Sequence, residues 1–212
     1  MSVLFFEDRT EAAGLLVEAL RPLNLQAPVV LGIPRGGVVL ADVLARELGG
    51  TMDVVLARKI GAPGNPEYAL GAVGEDGQVF LQPYAERIAD ASYLKAEIGR
   101  QMQVIRERRR RYRAVRPKEP LAGRDVVLTD DGIATGSTME AALTAVLAEQ
   151  PARVVVAVPV GPPEAVERLR QRAEVVALST PPDFVAVGAY YRHFPQVSDE
   201  DVVRLLSAWA VE

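Results

Sequence analysis

Val126-Val127-Leu128-Thr129-Asp130-Asp131-Gly132-Ile133-Ala134-Thr135-Gly136-Ser137-Thr138-Met139 is the stretch on which the reading of this chain turns. Its first residues are apolar and mostly β-branched, as in a strand buried on both faces. Two carboxylates follow, then a run of small residues, then helical periodicity over Ser137 to Gln150. In an open parallel sheet, ligands sit beyond the carboxyl ends of the strands. Gly136 has no Cβ to obstruct an approaching anion, so backbone N–H groups of Ala134 to Thr138 can converge on one point. The start of the helix adds its positive end, and Thr135, Ser137 and Thr138 add hydroxyl donors. That set suits a phosphate monoester. Asp130 and Asp131 would repel a phosphate placed against them, but they suit the two donors of a vicinal diol. A phosphate close to a diol describes a ribose 5-phosphate. The plain alternative is a helix cap, with Ser137 or Thr135 at the N-cap.

Outward from this stretch, short apolar runs alternate with helical segments. Asp8 to Arg21 reads as a helix with Leu15, Leu16, Ala19 and Leu20 on one face, and Pro28 to Ile33 as a buried strand. Pro34-Arg35-Gly36-Gly37 breaks that strand, and Val38 to Leu48 reads as a helix ending at Gly49-Gly50. Asp53 to Ala57 is a second strand, followed by a loop from Arg58 to Pro66. Ala69 to Val73 and Gln78 to Leu81 flank Gly74-Glu75-Asp76-Gly77 as a hairpin. Pro83 to Ala114 reads as a long polar helix or a broken pair. Beyond the central stretch come a strand at Val154 to Val158, a helix at Pro162 to Arg172, a strand at Val175 to Leu178 and a closing helix at Asp199 to Trp209. This rhythm predicts an α/β fold: a Rossmann-like parallel sheet of about five strands flanked by helices. We expect a single domain over 1–212, with the segment 69–116 inserted as a small hood or flap.

Composition narrows the function classes. The net charge of −4 gives no broad attraction to nucleic acid or membrane, so a small-molecule partner is expected. With no cysteine there is no thiolate nucleophile or disulfide, and with one histidine, His193, a Ser-His-Asp triad or histidine metal cluster has little material. His193 reads as structural. No run approaches the roughly 18 apolar residues of a membrane-spanning helix, and the Met1 to Arg9 start lacks the features of a signal peptide. A cytoplasmic location is expected. The basic run Arg106 to Arg113 reads as a solvated helix face. A Gly-x-Ser-x-Gly elbow is missing, Asp130-Asp131-Gly132 lacks the Asp-x-Asp spacing of an aspartyl-phosphate enzyme, and no lysine precedes Ser137 as in a P-loop.

The segment Val126 to Thr138 resembles the phosphoribosyl-pyrophosphate signature of type I phosphoribosyltransferases: apolar residues, two acidic residues, then a Thr-Gly phosphate loop. Thr129 departs from it by being polar. The resemblance implies that Asp130 and Asp131 hold the ribose and serve catalysis, and that Ala134, Thr135, Gly136, Ser137 and Thr138 hold the 5-phosphate. Gly32 to Gly37 is similar to the family's first loop, often of unusual peptide conformation, and assigns Arg35, Gly36 and Gly37 to pyrophosphate. Arg58 and Lys59 resemble the family's basic pair for the same group, with Arg58 also catalytic. Val185 to Tyr191 is similar to the base-recognition segment and points to Phe184 and Val187 as weak base contacts. Alanine at position 134 argues against simple hypoxanthine or guanine salvage, and the chain resembles family members of unassigned acceptor.

The resemblance implies a glycosyltransferase of nucleotide metabolism or nucleoside salvage. It would transfer ribose 5-phosphate from 5-phosphoribosyl-1-pyrophosphate (PRPP) to a nitrogenous base or other amine, releasing pyrophosphate. Mg²⁺ would be held through the substrate and not by a protein site. Family members are commonly homodimers. Two alternatives stay open: a non-catalytic PRPP- or nucleotide-binding regulator, and a hydrolase of a phosphorylated sugar or nucleotide. Glu67, in a Pro- and Gly-rich loop, reads as a plain loop carboxylate in preference to a catalytic acid. Phe184 or Tyr190 would stack on a base or pack the loop Ser179 to Asp183.

Overall fold

Runs of valine and leucine form the centre of the molecule, because side chains that point alternately to both faces of a sheet all find apolar neighbours there. The structure, a computed structural model, describes residues 3–210; Met1, Ser2 and the last two positions lie outside it. The elements in chain order are α1 (Arg9–Leu20), β1 (Val29–Gly32), α2 (Gly37–Glu47), β2 (Thr51–Val54), β3 (Arg58–Ala62), β4 (Asn65–Val73), β5 (Val79–Leu81), α3 (Ala85–Ile88), α4 (Ala91–Arg113), β6 (Asp125–Thr129), α5 (Ser137–Ala148), β7 (Arg153–Val160), α6 (Pro163–Arg170), β8 (Glu174–Ser179) and α7 (Asp199–Ser207). The five-stranded sheet runs β2-β1-β6-β7-β8, with every pair parallel.

Two cores sandwich this sheet. Val30, Val127 and Val155 face Ala13, Leu16, Leu44 and Val202 of α1, α2 and α7, while Val29, Leu31, Val126 and Leu128 face Met139, Leu143, Val166 and Leu169 of α5 and α6. The buried stripe of α1 is Ala12, Ala13, Leu16, Val17 and Leu20; Leu15, expected inside, is exposed because the helix turns its alanines to the sheet. Thr129, the polar residue ending β6, donates its hydroxyl to the Ala157 carbonyl at 2.7 Å and so is satisfied within the core.

The topology places the site. From β1 the chain crosses by α2 to β2 on one side, and from β6 it crosses by α5 to β7 on the other. The strand order therefore reverses between β1 and β6, which opens a crevice at their carboxyl ends. Register aligns the two lips, since Gly32 pairs with Thr129 and the loops after them start at one level.

A second, antiparallel sheet, β3-β4-β5, stands beside this crevice with α4. The Arg58 to Pro66 segment, expected as a loop, is instead mostly strand: Arg58 pairs with Val73 and Ala62 with Asn65. Its Gly, Pro and Asn residues hide a strand whose order comes from the ladder to β4. The β4–β5 hairpin is as expected. The polar segment after it is a broken pair, α3 and α4, with Asp90 accepting from the Tyr93 N–H at 2.8 Å to cap the longer helix. On the far side of the first sheet, β2 ends at Val54, short of the Ala57 anticipated.

The basic run of α4 is a solvated face only in part: Arg106 and Arg110 are exposed without an ion pair among the described residues, but Arg109, Arg111 and Arg113 meet carboxylates from elsewhere in the chain. Arg111 pairs with Asp199 and Glu200, Arg109 lies against Glu75, and Arg113 is clamped between Asp53 at 2.7 Å and Glu75 at 2.6 Å. Asp53 is buried on β2 and Glu75 on the β4–β5 turn, so the Arg113 guanidinium ties the small sheet to the main one. Burial pushes the Asp53 carboxyl up, against the opposing pull of Arg113. Removing the cation from two buried carboxylates is costly. Arg113→Met is expected to lower unfolding free energy by about 3–5 kcal/mol in urea denaturation. A loss under about 1 kcal/mol, the range of exposed pairs, would show that this clamp does not hold the sheets together.

Candidate functional site

The crevice between β1 and β6 is built by close backbone approach. A Cβ on Gly37 would lie 2.8 Å from the Thr129 carbonyl oxygen, and one on Gly36 would overlap the Asp131 carboxylate. Glycine at both positions lets the loop after β1 lie directly on Asp130 and Asp131. The Pro34–Arg35 peptide in this loop is cis. Thus Arg35, Gly36, Gly37, Asp130 and Asp131, taken from distant parts of the sequence, meet in one place.

The two carboxylates differ. Asp131 pairs with Arg9 through Oδ2 at 3.0 Å. Asp130 has no cation within ion-pair distance among the described residues, and its Oδ1 accepts from the Asp131 N–H at 2.8 Å. Burial, then the neighbouring Asp131 charge, pushes the Asp130 carboxyl well above the usual range. Among the described residues, no group of three His, Cys, Asp or Glu could hold a metal ion. With Asp131 Oδ2 committed to Arg9, a divalent cation here would draw most of its ligands from a bound molecule.

The loop from Ala134 leads into α5 through Gly136, whose φ of 82° is open to glycine and strained for other residues. Gly136 at the N-cap of α5 has no side chain to cap with, and Thr135 Oγ1 accepts from the Ser137 N–H at 3.3 Å, a long bond to the first amide only; the next amides of the first turn have no side-chain partner among the described residues and stay open to an anion. The Thr135 carbonyl accepts from Arg168. Lys59 of β3 donates to Ser137 Oγ at 3.0 Å, which puts it beside this loop. Glu67 joins them: its Oε2 lies 2.8 Å from Lys59 Nζ, 3.3 Å from Thr135 Oγ1 and 3.4 Å from Ser137 Oγ. The donors of the loop thus hold a carboxylate from β4. The hydrogen bond from Lys59 is the main cause holding the Glu67 carboxyl below its ordinary range.

Arg58 lines a cleft of about 300 Å³ with Lys59, Tyr93, Gln101 and Thr138, and it donates to Gln101 Oε1 at 2.9 Å. Arg108 of α4 shares a neighbouring pocket with Pro34, Arg58 and Thr138. Among the described residues, no carboxylate lies within 4.0 Å of Arg35, Arg58 or Arg108. At the opposite edge, Val187 packs onto Gly132, where a Cβ would come within 2.7 Å of it. Phe184 stacks on the buried Tyr190 at 5.5 Å and packs, like Val187, against the small cluster of Phe6, Val160, Tyr190 and Tyr191. His193 is exposed, 3.5 Å from Glu7.

Residues that sequence patterns did not single out are Arg9, Arg108, Arg168 and, as a site group, Tyr191, whose hydroxyl donates to the Asp131 carbonyl at 2.6 Å. Arg9 lies 122 positions from Asp131, so no local spacing reveals the pair.

Similarity to known proteins runs along nearly the whole chain. The model of the phosphoribosyl transferase domain matches residues 8–192. Rv0571c of Mycobacterium tuberculosis, itself only provisionally described as a phosphoribosyl transferase, is 44% identical over 204 residues, covering 95% of this chain and 46% of its own length. This chain therefore spans about half the length of the curated relatives it matches. The crystal structure of TT1426 from Thermus thermophilus is 65% identical and superposes with a TM-score of 0.95, over 98% of this chain and 100% of that one. A hypothetical protein from Neisseria gonorrhoeae, solved with bound ppGpp, shares the fold at 18% identity and a TM-score of 0.50, over 97% and 95% of the two chains.

Two outcomes follow from the electrostatics. Glu67→Gln removes the negative charge that occupies the loop donors, so inorganic phosphate should bind roughly two- to fivefold more tightly by calorimetry, the scale of an exposed ion pair; weaker binding would mean that Glu67 assists the anion. Asp130→Asn should raise the thermal midpoint at pH 7 by about 2–4 °C, near 1 kcal/mol at this chain length. The raised pKa means that folding favours protonated Asp130, so wild type loses stability as pH rises through that value. The gain from Asp130→Asn should accordingly vanish below the ordinary carboxylate range, and a gain that persists there would contradict this cause.

Proposed function

Since the chain belongs to the phosphoribosyl transferase family across residues 8–192, we propose that it transfers ribose 5-phosphate from PRPP to a nitrogenous base or other amine. The observation that carries this reading is the paired carboxylates Asp130 and Asp131 set next to a glycine-entered helix start with hydroxyl and lysine donors. One half of that arrangement suits a diol and the other a phosphate.

In this reading the 5-phosphate enters the loop Ala134 to Thr138 and takes the place of the Glu67 carboxylate, with Lys59 as its cation. The ribose hydroxyls donate to Asp130 and Asp131. Pyrophosphate lies toward the loop Arg35 to Gly37, whose Gly37 N–H is already given to the Ile33 carbonyl at 3.0 Å, and within reach of Arg35 and Arg58, neither of which has a carboxylate within 4.0 Å among the described residues. The bond from C1 to the pyrophosphate oxygen breaks, and both its electrons leave with pyrophosphate. The acceptor nitrogen then bonds to C1 and gives up its proton to an oxygen of the departing pyrophosphate. Charge develops on the leaving group as the bond breaks, which is where preorganised guanidinium groups act most strongly. Mg²⁺ delivered on the substrate's own oxygens would add further neutralisation of that charge. The small sheet and α4 flank the crevice and would limit the entry of water, whose attack at C1 is the competing reaction. Val187, on Gly132, is the nearest of the proposed base contacts, with Phe184 farther out. Assembly as a homodimer is part of the proposal and is tested by sedimentation.

The experiment is pyrophosphate release from PRPP and Mg²⁺, with purine, pyrimidine and simple amine acceptors offered in turn. Acceptor-dependent release is expected, and an Asp130→Asn, Asp131→Asn double variant should lose at least about 100-fold in rate, as when a preorganised polar contact is removed. Saturable PRPP binding without release for any acceptor would favour the regulator. Acceptor-independent release would favour the hydrolase.

A further inference from the structure

Asp131 is held from three sides. Arg9 Nε donates to its Oδ2 at 3.0 Å, the Tyr191 hydroxyl donates to its backbone carbonyl at 2.6 Å, and the Gly36 backbone lies against its carboxylate. Arg9 is itself locked. Its Nη1 donates to the Pro195 carbonyl at 2.6 Å, and its guanidinium lies over the Phe194 ring at 4.0 Å from the centroid. Phe194 in turn stacks on Tyr191 at 4.8 Å. An arginine that is 7% exposed and paired in this way is an expensive arrangement unless its charge is used.

The chain brings Arg9 here by a specific route. Asp8 caps α1 by accepting from the Glu11 N–H, which fixes Arg9 as the first helical residue. Phe6 bridges to Tyr191: its N–H donates to the Tyr190 carbonyl and its carbonyl accepts from the Arg192 N–H, both at 2.8 Å. The segments around residues 6–9 and 190–195 thus close on Asp131 together. Asp130 receives no such partner among the described residues.

Resting on the PRPP-site reading above, we propose that Arg9 is a positioning residue for the sugar: it clamps one oxygen of Asp131, orients the other toward a ribose hydroxyl, and so makes the site select a sugar phosphate over a bare phosphate. The clamp does two things. It cancels one negative charge in a crevice that must admit an anionic substrate, and it prevents the Asp131 side chain from rotating away from the diol. Arg9 Nη2 makes no hydrogen bond among the described residues, so it is available to donate to the same hydroxyl that donates to Asp131. A donor and an acceptor side by side recognise a hydroxyl and reject a hydrogen atom in its place. The phosphate loop shares no hydrogen bond with Arg9, so losing the clamp weakens phosphate alone only through the uncancelled Asp131 charge, and much less than it weakens ribose 5-phosphate.

The test compares ribose 5-phosphate with inorganic phosphate by calorimetry, on wild type, Arg9→Met and Arg9→Lys. Wild type should prefer ribose 5-phosphate. Arg9→Met should lose at least about 30-fold in ribose 5-phosphate affinity, the lower end for truncating one partner of a buried charge pair, with a loss of phosphate affinity at least about tenfold smaller. Arg9→Lys keeps the charge without the fork and should fall between the two. If Arg9→Met proves too unstable to purify, Arg9→Lys carries the test, and wild-type sugar preference in that variant overturns the proposal. An equal loss of both ligands in either variant also overturns it, because the residue would then merely support the fold. Wild type that binds phosphate but shows no preference for ribose 5-phosphate would instead sink the sugar-site reading itself, and this inference with it.

Discussion

The contact between the loop after β1 and the carboxylates after β6 is the constraint on which the rest depends. Gly36 and Gly37 lie so close to Asp131 and Asp130 that a single added Cβ in either place meets backbone or carboxylate atoms. That closeness requires parallel, in-register neighbours, and β1 and β6 supply them, with Gly32 opposite Thr129. The sheet order in turn requires α2 and α5 to cross on opposite faces, which divides the core in two. Burial of apolar side chains therefore assembles a crevice lined with charge, and the cost of that charge is offset by pairing.

The pairing is uneven, and the unevenness has chemical meaning. Among the described residues, Asp131 pairs with Arg9 and Glu67 with Lys59 within 4.0 Å, while Asp130, Arg35, Arg58 and Arg108 have no opposite charge at that distance, Arg9 and Glu97 acting on Asp130 and Arg58 only from farther off. Unmatched charges near a crevice are what a charged ligand can complete. A molecule carrying hydroxyls at one point and anionic groups on either side would match this pattern more fully than the protein matches itself. The buried Arg113 clamp at the far end of α4 has the opposite character, because its carboxylates leave it no free valence, and it serves the junction between the sheets.

Much of this was legible in the sequence. The valine-rich strands, the Asp-Asp-Gly turn and the Thr-Gly loop each carry a local signal, through burial, charge or backbone freedom, and four of the five sheet strands fall where that signal places them, while β2 starts and ends earlier, at Thr51 and Val54. The exceptions share a cause. The strand at Arg58–Ala62 is rich in glycine and polar residues and owes its form to its partner in β4. The basic run of α4 reads as solvated until Asp53, Glu75 and Asp199 are brought against it from elsewhere in the chain. Arg9 and Glu67 look like ordinary helix and loop residues, and only tertiary contact gives them a role at the site. Local chemistry announces the frame of the crevice, and long-range pairing decides which of its charges remain open.

The measurement that bears most directly on the central claim is a crystal structure with ribose 5-phosphate at millimolar concentration. The account predicts phosphate density within the loop Ala134 to Thr138, the ribose hydroxyls on Asp130 and Asp131, and the Glu67 carboxylate moved away from Lys59. Ligand density elsewhere, or phosphate in the loop with the sugar turned away from both aspartates, would contradict it.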